Sequence, residues 1–396
     1  MKLSKRMETL EPSVTLMASA KAKELKNQGV DVLSVTLGEP DFPTPKHIQK
    51  AAIEAIESGK ASFYTPTSGI PELRQAIISY IKDFYGLTYD ISQTLVTDGA
   101  KFALYALFQA LLDEGDEVII PTPYWVSYGE QVKLADGTPV FVQAKDENQF
   151  KVTVEQLEAA RTENSKAVII NSPSNPTGMI YTYEELKEIG EWAVAHDLLI
   201  IADDIYGRLV YGDNQFTPIA TISEEIRKQT LIINGVSKSY SMTGWRIGFA
   251  VGDKDLIKAM TDIASQATSN PTAVSQYAAV EALIGDQSPV EEMRQAFEQR
   301  LNKLYPLVLE IPGVKLTKPQ GAFYLFPNVK GTMELCGYTD VTEFTDDLLK
   351  EAHVALVTGA GFGAEENIRM SYASDWATLE ETVNRIKAFV EKKRRK

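Results

Sequence analysis

Cysteine and histidine are scarce: one cysteine, Cys336, and three histidines, His47, His196 and His353, in 396 residues. A single cysteine excludes an intrachain disulfide, which suits a cytoplasmic protein. The histidines are widely spaced, and no pair stands at the helical interval that puts two metal ligands on one face. Metal chemistry and a histidine-based nucleophilic triad are therefore poorly supplied. A proton carrier has to be sought elsewhere, and lysine is the obvious candidate. Long apolar runs are also missing: none approaches the roughly 18 residues that span a bilayer, so no membrane association is expected. The basic start Met1-Lys2-Leu3-Ser4-Lys5-Arg6 leads into no apolar segment, so a secretory signal is not expected either. Positive charge is in deficit, with 40 Lys and Arg against 54 Asp and Glu and a net charge of −14. Nucleic acid needs a basic face for its phosphates, so no such partner is expected. The terminal Glu391-Lys392-Lys393-Arg394-Arg395-Lys396 reads instead as the dipole-complementing end of a last helix.

What is present is a globular composition, 44% hydrophobic and 24% charged, on a chain long enough for about two to three domains. Short continuous apolar runs recur at Glu117-Val118-Ile119-Ile120, Lys166-Ala167-Val168-Ile169-Ile170, Leu198-Leu199-Ile200-Ile201 and Leu231-Ile232-Ile233. Continuous rather than alternating hydrophobicity marks strands buried on both faces. Helical patterns lie between them, as at 103–112 and 183–196. The order implies an α/β fold with a mostly parallel sheet covered by helices, which binds ligands outside the carboxyl ends of its strands. After Asp253 the pattern turns helical, at 256–265, 273–283 and 290–309. A smaller α+β region follows, with strands near 322–326, 354–357 and 368–372 and a closing helix at about 378–392. The expected division is an N-terminal arm contributing to the small domain over 1–45, a large domain over 46–285 and a small domain over 286–396.

The segments after the apolar runs carry the chemistry. They read Pro121-Thr122-Pro123-Tyr124-Trp125, Asn171-Ser172-Pro173-Ser174-Asn175-Pro176-Thr177-Gly178, Asp203-Asp204-Ile205-Tyr206 and Gly235-Val236-Ser237-Lys238. Lys238 stands between two serines, with room for something bulky on its amine. Arg246 follows eight residues later, and a guanidinium clamps phosphate through its planar fork. Together they point to a covalently held, phosphorylated aldehyde cofactor. Asp203 ends a buried run, where a carboxylate is unfavourable unless it meets a positive charge.

With these motifs in place the chain resembles the fold-type I, pyridoxal-phosphate-dependent class I aminotransferases, and is most similar to the bacterial aspartate aminotransferases. The likeness runs from about Pro12 to the C-terminus. It rests on Gly38-Glu39-Pro40-Asp41-Phe42, Gly69-Ile70-Pro71-Glu72-Leu73-Arg74, Asn175-Pro176-Thr177-Gly178, Ser237-Lys238, Gly244-Trp245-Arg246-Ile247-Gly248 and Arg369, in that order. The resemblance implies a large domain with a mostly parallel, seven-stranded type of sheet, and pyridoxal 5′-phosphate as cofactor. It makes Lys238 the residue joined to the cofactor aldehyde and the proton shuttle between substrate Cα and cofactor. Asp203 then faces the protonated ring nitrogen and keeps the ring an electron sink. Tyr206 and Asn175 face the ring oxygen, and Trp125 stacks on the ring. The turn Gly99-Ala100-Lys101, at a helix start, cradles the phosphate with Ser237 and Arg246. Tyr64 reaches the phosphate of the other subunit, so the expected assembly is a homodimer with shared active sites.

For the substrate, the resemblance places Arg369 on the α-carboxylate, with Gly38, Trp125, Asn175 and the aromatic Phe323 close by. Lys101 and Thr15 match residues that contact a second carboxylate, which favours L-aspartate as donor in a ping-pong transamination with 2-oxoglutarate. Broad or aromatic specificity, or β-elimination of the C–S lyase kind on the same scaffold, remain alternatives. A ligand sensor of this fold needs a DNA-binding region, for which the arm of about 45 residues is short and insufficiently basic. Two departures stand out. Val357-Thr358-Gly359 lacks the proline common in relatives, which predicts a looser turn, and Asp98-Gly99-Ala100 has alanine where a second glycine is frequent.

Overall fold

The computed structural model describes residues 2–394. Seven strands form one sheet in the order Thr94–Thr97, Gly248–Val251, Thr230–Gly235, Leu199–Asp203, Ser165–Asn171, Glu117–Thr122 and Thr138–Gln143. All are parallel except Gly248–Val251, which runs antiparallel to both neighbours. The continuous apolar runs follow from helices on both sides. Ile120, Ile169, Ile201 and Ile233 pack towards the helices Ala100–Leu111 and Lys254–Ala267. Their chain neighbours Ile119, Ile170 and Ile200 face the helix Tyr183–Ala195. Ile232 faces the helices Pro71–Tyr85 and Ala273–Ile284. Each such side chain contributes roughly 1.5–3 kcal/mol by leaving water, so both faces of each strand have to be apolar.

Because six strands are parallel, their carboxyl ends share one edge, where Thr97, Thr122, Asn171, Asp203 and Gly235 close their strands. The reversed strand begins at that same edge, so the residues leading into it, rather than out of it, reach the edge there.

A second core joins Val35 from the arm, Tyr206 and Leu209 from the loop after Leu199–Asp203, the long helix Ser288–Leu309 and the closing helix Trp376–Arg394. Its strands are shorter than the apolar runs suggest. The run 322–326 yields Tyr324–Leu325 alone. The run 354–357 splits in two because its halves pair with different partners. Val354–Ala355 pairs in parallel with Leu33–Ser34, and Val357–Thr358 pairs with Ile368–Ser371. Thr358 has φ −59, the angle a proline would fix, and its Oγ1 accepts from the Ala360 amide at 3.4 Å and lies 3.1 Å from Thr342 Oγ1. A hydroxyl therefore holds the turn in place of a ring. In the terminal basic segment, Lys393 pairs with Glu351 at 2.8 Å and Asp347 at 3.6 Å; Arg395 and Lys396 lie outside the described residues. No helix among the described residues is long and apolar enough to cross a membrane.

Candidate functional site

A cavity of about 340 Å³ opens at the carboxyl edge of the sheet. Its lining gathers Thr15, Gly38, Ala100, Lys101, Trp125, Asn175, Asp203, Tyr206, Ser237, Lys238, Arg246 and Arg369, residues drawn from more than 350 positions of chain. Most arrive from a strand end, the loop that follows one, or a helix start. Asp203 is the last residue of Leu199–Asp203, and Ser237-Lys238 follow Thr230–Gly235. Arg246 leads into the reversed strand, and Arg369 stands on Ile368–Ser371 of the second core.

The helix Ala100–Leu111 starts at this edge. Its cap, Gly99, has φ +82, and a Cβ there would lie 2.9 Å from Arg246 Cζ. Only glycine fits such a backbone without strain. Phe102 and Ala103 turn their amides back to the Gly99 carbonyl, leaving Ala100 and Lys101 at the open, positive end of the helix. Arg246 donates to the Asp98 carbonyl at 3.1 Å and the Thr243 carbonyl at 3.0 Å. Gly248 is close behind, where a Cβ would lie 2.8 Å from Ala100 Cα. Backbone amides and a guanidinium thus meet at one point, a geometry suited to a phosphate.

Asp203 is buried, and burial holds its carboxyl above the ordinary carboxylate range, against the bonds it accepts and the nearby Lys238 amine. Tyr128 donates to its Oδ2 at 2.5 Å, and the Ile205 amide to its Oδ1 at 3.3 Å. Asn171 ties this strand end to the next loop: its Nδ2 donates to the Asp203 carbonyl at 2.9 Å, and its Oδ1 accepts from the Asn175 amide at 2.9 Å. Asp204 points away, accepting from Tyr85 at 2.9 Å.

Lys238 donates to the Gly38 carbonyl. Burial above all, then the Arg369 and Arg246 cations, push its amine down to about 8, against Glu39 and Asp203. Arg369 is 1% exposed, lies over the Tyr324 ring at 4.6 Å and the Phe362 ring at 5.0 Å, and donates to Asn175 Oδ1 at 3.0 Å and the Thr36 carbonyl at 2.6 Å. Its Nε is buried with no hydrogen-bond partner. Lys101 stands 4.9 Å from the Trp125 ring, its amine lowered by burial and by Arg246.

Four cations, Lys101, Lys238, Arg246 and Arg369, therefore share a cavity with two carboxylates, Glu39 and Asp203. Among the described residues none of the four forms a salt bridge, in a chain of net charge −14. Concentrated, unpaired positive charge in a recess binds anions, and several at once.

One expected position lies elsewhere. Phe323 does not reach the cavity: it is fully buried in the second core, edge-on to Tyr206 at 5.6 Å, and its neighbour Tyr324 takes the lining position. Phe323 belongs to the turn that precedes the strand Tyr324–Leu325, with Ala322 at φ +57, and this turn directs the two rings differently. Tyr64 is 93% exposed and outside the cavity of its own chain. Sequence reasoning also missed Tyr128, Glu39 and Asn171. Tyr128 had a signal, since it stands three residues after Trp125, one helical turn on.

The family model for aminotransferases of class I and II matches residues 30–386. A Streptococcus mutans protein named asparagine–oxo-acid transaminase is 62% identical over 391 residues, covering 99% of this chain and 100% of its own length. An aspartate aminotransferase of Geobacillus stearothermophilus is 58% identical over 391 residues, covering 99% of both chains. Among solved structures, the aspartate aminotransferase of Thermus thermophilus with maleate superposes with a TM-score of 0.93 at 39% identity, covering 98% of this chain and 99% of that one.

Proposed function

The chain belongs to the class I and II aminotransferases, and from that premise we propose that its amino donor is L-aspartate and its acceptor 2-oxoglutarate, in a ping-pong transamination. The enzyme is a pyridoxal-phosphate-dependent aminotransferase of fold type I acting on an L-amino acid.

The donor set fits pyridoxal 5′-phosphate. Arg246, Ser237 and the open helix start from Gly99 to Lys101 would hold the phosphate. Asp203, disfavoured in its buried place without a cation, would meet the ring nitrogen. Tyr206 and Asn175 would face the ring oxygen, Trp125 would cover the ring, and Lys238 would hold the aldehyde. When bound, the cofactor supplies a reversible covalent hold on an amine and an electron-withdrawing ring.

The protein's own share of the chemistry follows from its side chains. Lys238, with its amine lowered to about 8, is neutral in roughly a tenth of molecules at pH 7, so it can take a proton from the substrate Cα and return one. The Gly38 carbonyl steadies the amine. Arg369 would bind the α-carboxylate through donors that include the unpartnered Nε. Tyr128 keeps Asp203 aimed through its short bond.

The observation that carries the donor assignment is the presence of two cations without an acid partner, Arg369 and Lys101, on one cavity. Thr15 lines the same cavity and would support the second carboxylate. The name of the Streptococcus mutans relative favours a second reading, L-asparagine as donor. An amide would leave Lys101 without a counter-charge, at a cost of about 1–3 kcal/mol. A panel of donors with 2-oxoglutarate decides: aspartate among the best supports the first reading, and asparagine well ahead of it supports the second. Pyruvate release without an added oxo acid would mark a lyase. Lys101→Ala should raise the KM for aspartate roughly tenfold and that of a monocarboxylic donor far less. Lys238→Ala should abolish turnover; turnover that persists refutes the assignment of Lys238.

A second copy of the chain is the proposed partner. Tyr64 and Phe63, 93% and 75% exposed, and Ile53 and Ile56 on the helix Lys46–Glu57 are exposed apolar side chains that a homodimer would cover while delivering Tyr64 to the neighbouring phosphate site. The paucity of cysteine supports a cytoplasmic location.

A further inference from the structure

Tyr324 stands where the two halves of the cavity meet. It opens the strand Tyr324–Leu325 and pairs with Ser371 of Ile368–Ser371, two residues beyond Arg369. Residues two apart on a strand share a face, and a side chain opposite one of them is a diagonal neighbour of the other. The register therefore lays the Tyr324 ring against the Arg369 guanidinium, 4.6 Å from ring centre to Cζ. At its other end the Tyr324 hydroxyl lies 2.8 Å from the Tyr206 hydroxyl. That contact is the one hydrogen bond of the Tyr206 side chain among the described residues. Gly38 packs on the same hydroxyl, where a Cβ would lie 2.5 Å from Tyr324 Oη, and the Gly38 carbonyl accepts from Lys238. Tyr324 is fully buried yet lines the cavity, so it has little room to move.

We propose that Tyr324 is a positioning residue that sets the cofactor side and the substrate side of the cavity against each other, its hydroxyl fixing the Tyr206 phenol and its ring carrying the Arg369 guanidinium. The two ends have separable work. The hydroxyl gives Tyr206, buried at 3% exposure, a defined direction. The ring face is attractive to a cation and holds the guanidinium plane where a carboxylate can meet it. The inference rests on the cavity being the cofactor and substrate site.

The test is a double-mutant cycle on holoenzymes of wild type, Tyr206→Phe, Tyr324→Phe and the double variant, with Tyr324→Leu as a fifth protein. Cofactor content and circular dichroism come first; Tyr324→Phe keeps the ring and so the packing. The readouts are kcat, the pH midpoint of the cofactor absorbance and the dissociation constant of maleate as an unreactive dicarboxylate. Tyr324→Phe should lower kcat roughly three- to tenfold and move the midpoint in the same direction as Tyr206→Phe, while maleate affinity changes less than about threefold. In the Tyr206→Phe background it should change kcat and midpoint by less than about twofold. Tyr324→Leu should weaken maleate about tenfold. Additive effects of the two phenylalanines, or an unmoved midpoint in Tyr324→Phe, overturn the hydroxyl role. Equal maleate affinity in Tyr324→Phe and Tyr324→Leu overturns the ring role. Turnover retained by Lys238→Ala would instead refute the cofactor site itself, so the two failures are distinguishable.

Discussion

Replacing Lys238 by methionine should make the cofactor-free protein more stable at neutral pH, although it should abolish the proposed reaction. The amine is lowered from 10.5 to about 8, chiefly by burial and by the Arg369 cation. At pH 7 the folded protein therefore carries a charged amine that its surroundings disfavour. A shift of this size is worth roughly 3 kcal/mol at about 1.4 kcal/mol per pH unit. Water in the cavity screens part of it, and methionine gives up the bond to the Gly38 carbonyl, so the expected gain is about 1–2 kcal/mol. Methionine keeps the straight apolar stem and so the packing. The sign follows from proton counting. Between pH 8 and 10.5 the unfolded wild-type chain binds more protons at this lysine than the folded one, so wild-type stability rises relative to the variant across that window. The advantage of Lys238→Met should thus be full below pH 8 and shrink towards zero near pH 10.5. Urea unfolding of both cofactor-free proteins at pH 7 and pH 10, at one protein concentration, measures it. A variant less stable than wild type at pH 7, or a gap that stays constant to pH 10, refutes the account of Lys238 as a disfavoured, partly buried cation.

Two further expectations concern the cofactor side. Tyr128→Phe removes a 2.5 Å bond that lowers the Asp203 carboxyl, so Asp203 should take up a proton at higher pH than in wild type. Cofactor affinity should fall by about 1.5–3 kcal/mol and worsen as pH is lowered, which equilibrium dialysis over a pH series can follow; a pH-independent loss would show that Tyr128 merely fills space. Gly248→Ala pushes a Cβ into the Gly99–Ala100 backbone and should lower both thermal stability and bound cofactor, by about 1–3 kcal/mol in folding. Gly244→Ala, where a Cβ meets nothing within 4 Å, is the control and should be close to silent in both measurements.

The large sheet was legible because its strands are buried on both faces, which writes an unbroken apolar run such as Ala167 to Ile170 into the sequence. The smaller strands were blurred because their partners lie far away in sequence: Val354–Ala355 depends on Leu33–Ser34 across more than 300 residues. The lining of the site could be named where a motif repeats a family pattern, as at Ser237-Lys238. It slipped by one residue at Phe323, because two adjacent aromatics compete for one inward position and the sequence does not say which turns in. Tyr128 escaped because its importance lies in a contact with Asp203, 75 positions along the chain. Asp204 turned to the opposite side, buried against the Tyr85 hydroxyl, as its place beside Asp203 requires.

One reversed strand decides how the cofactor would be gripped. In a wholly parallel sheet, a residue entering a strand and a residue leaving one sit at opposite rims. Inverting Gly248–Val251 lets the chain leave Thr230–Gly235, make a short loop and re-enter the sheet at the same rim. Lys238 and Arg246, the two hands that would hold the ligand at its reactive and its anionic end, hang on that one loop. Their separation is set locally, like the jaws of a caliper cut from one piece of metal. Drift elsewhere in the protein can move Arg369 or Lys101 and change what is bound alongside, while the span between those two jaws stays constant.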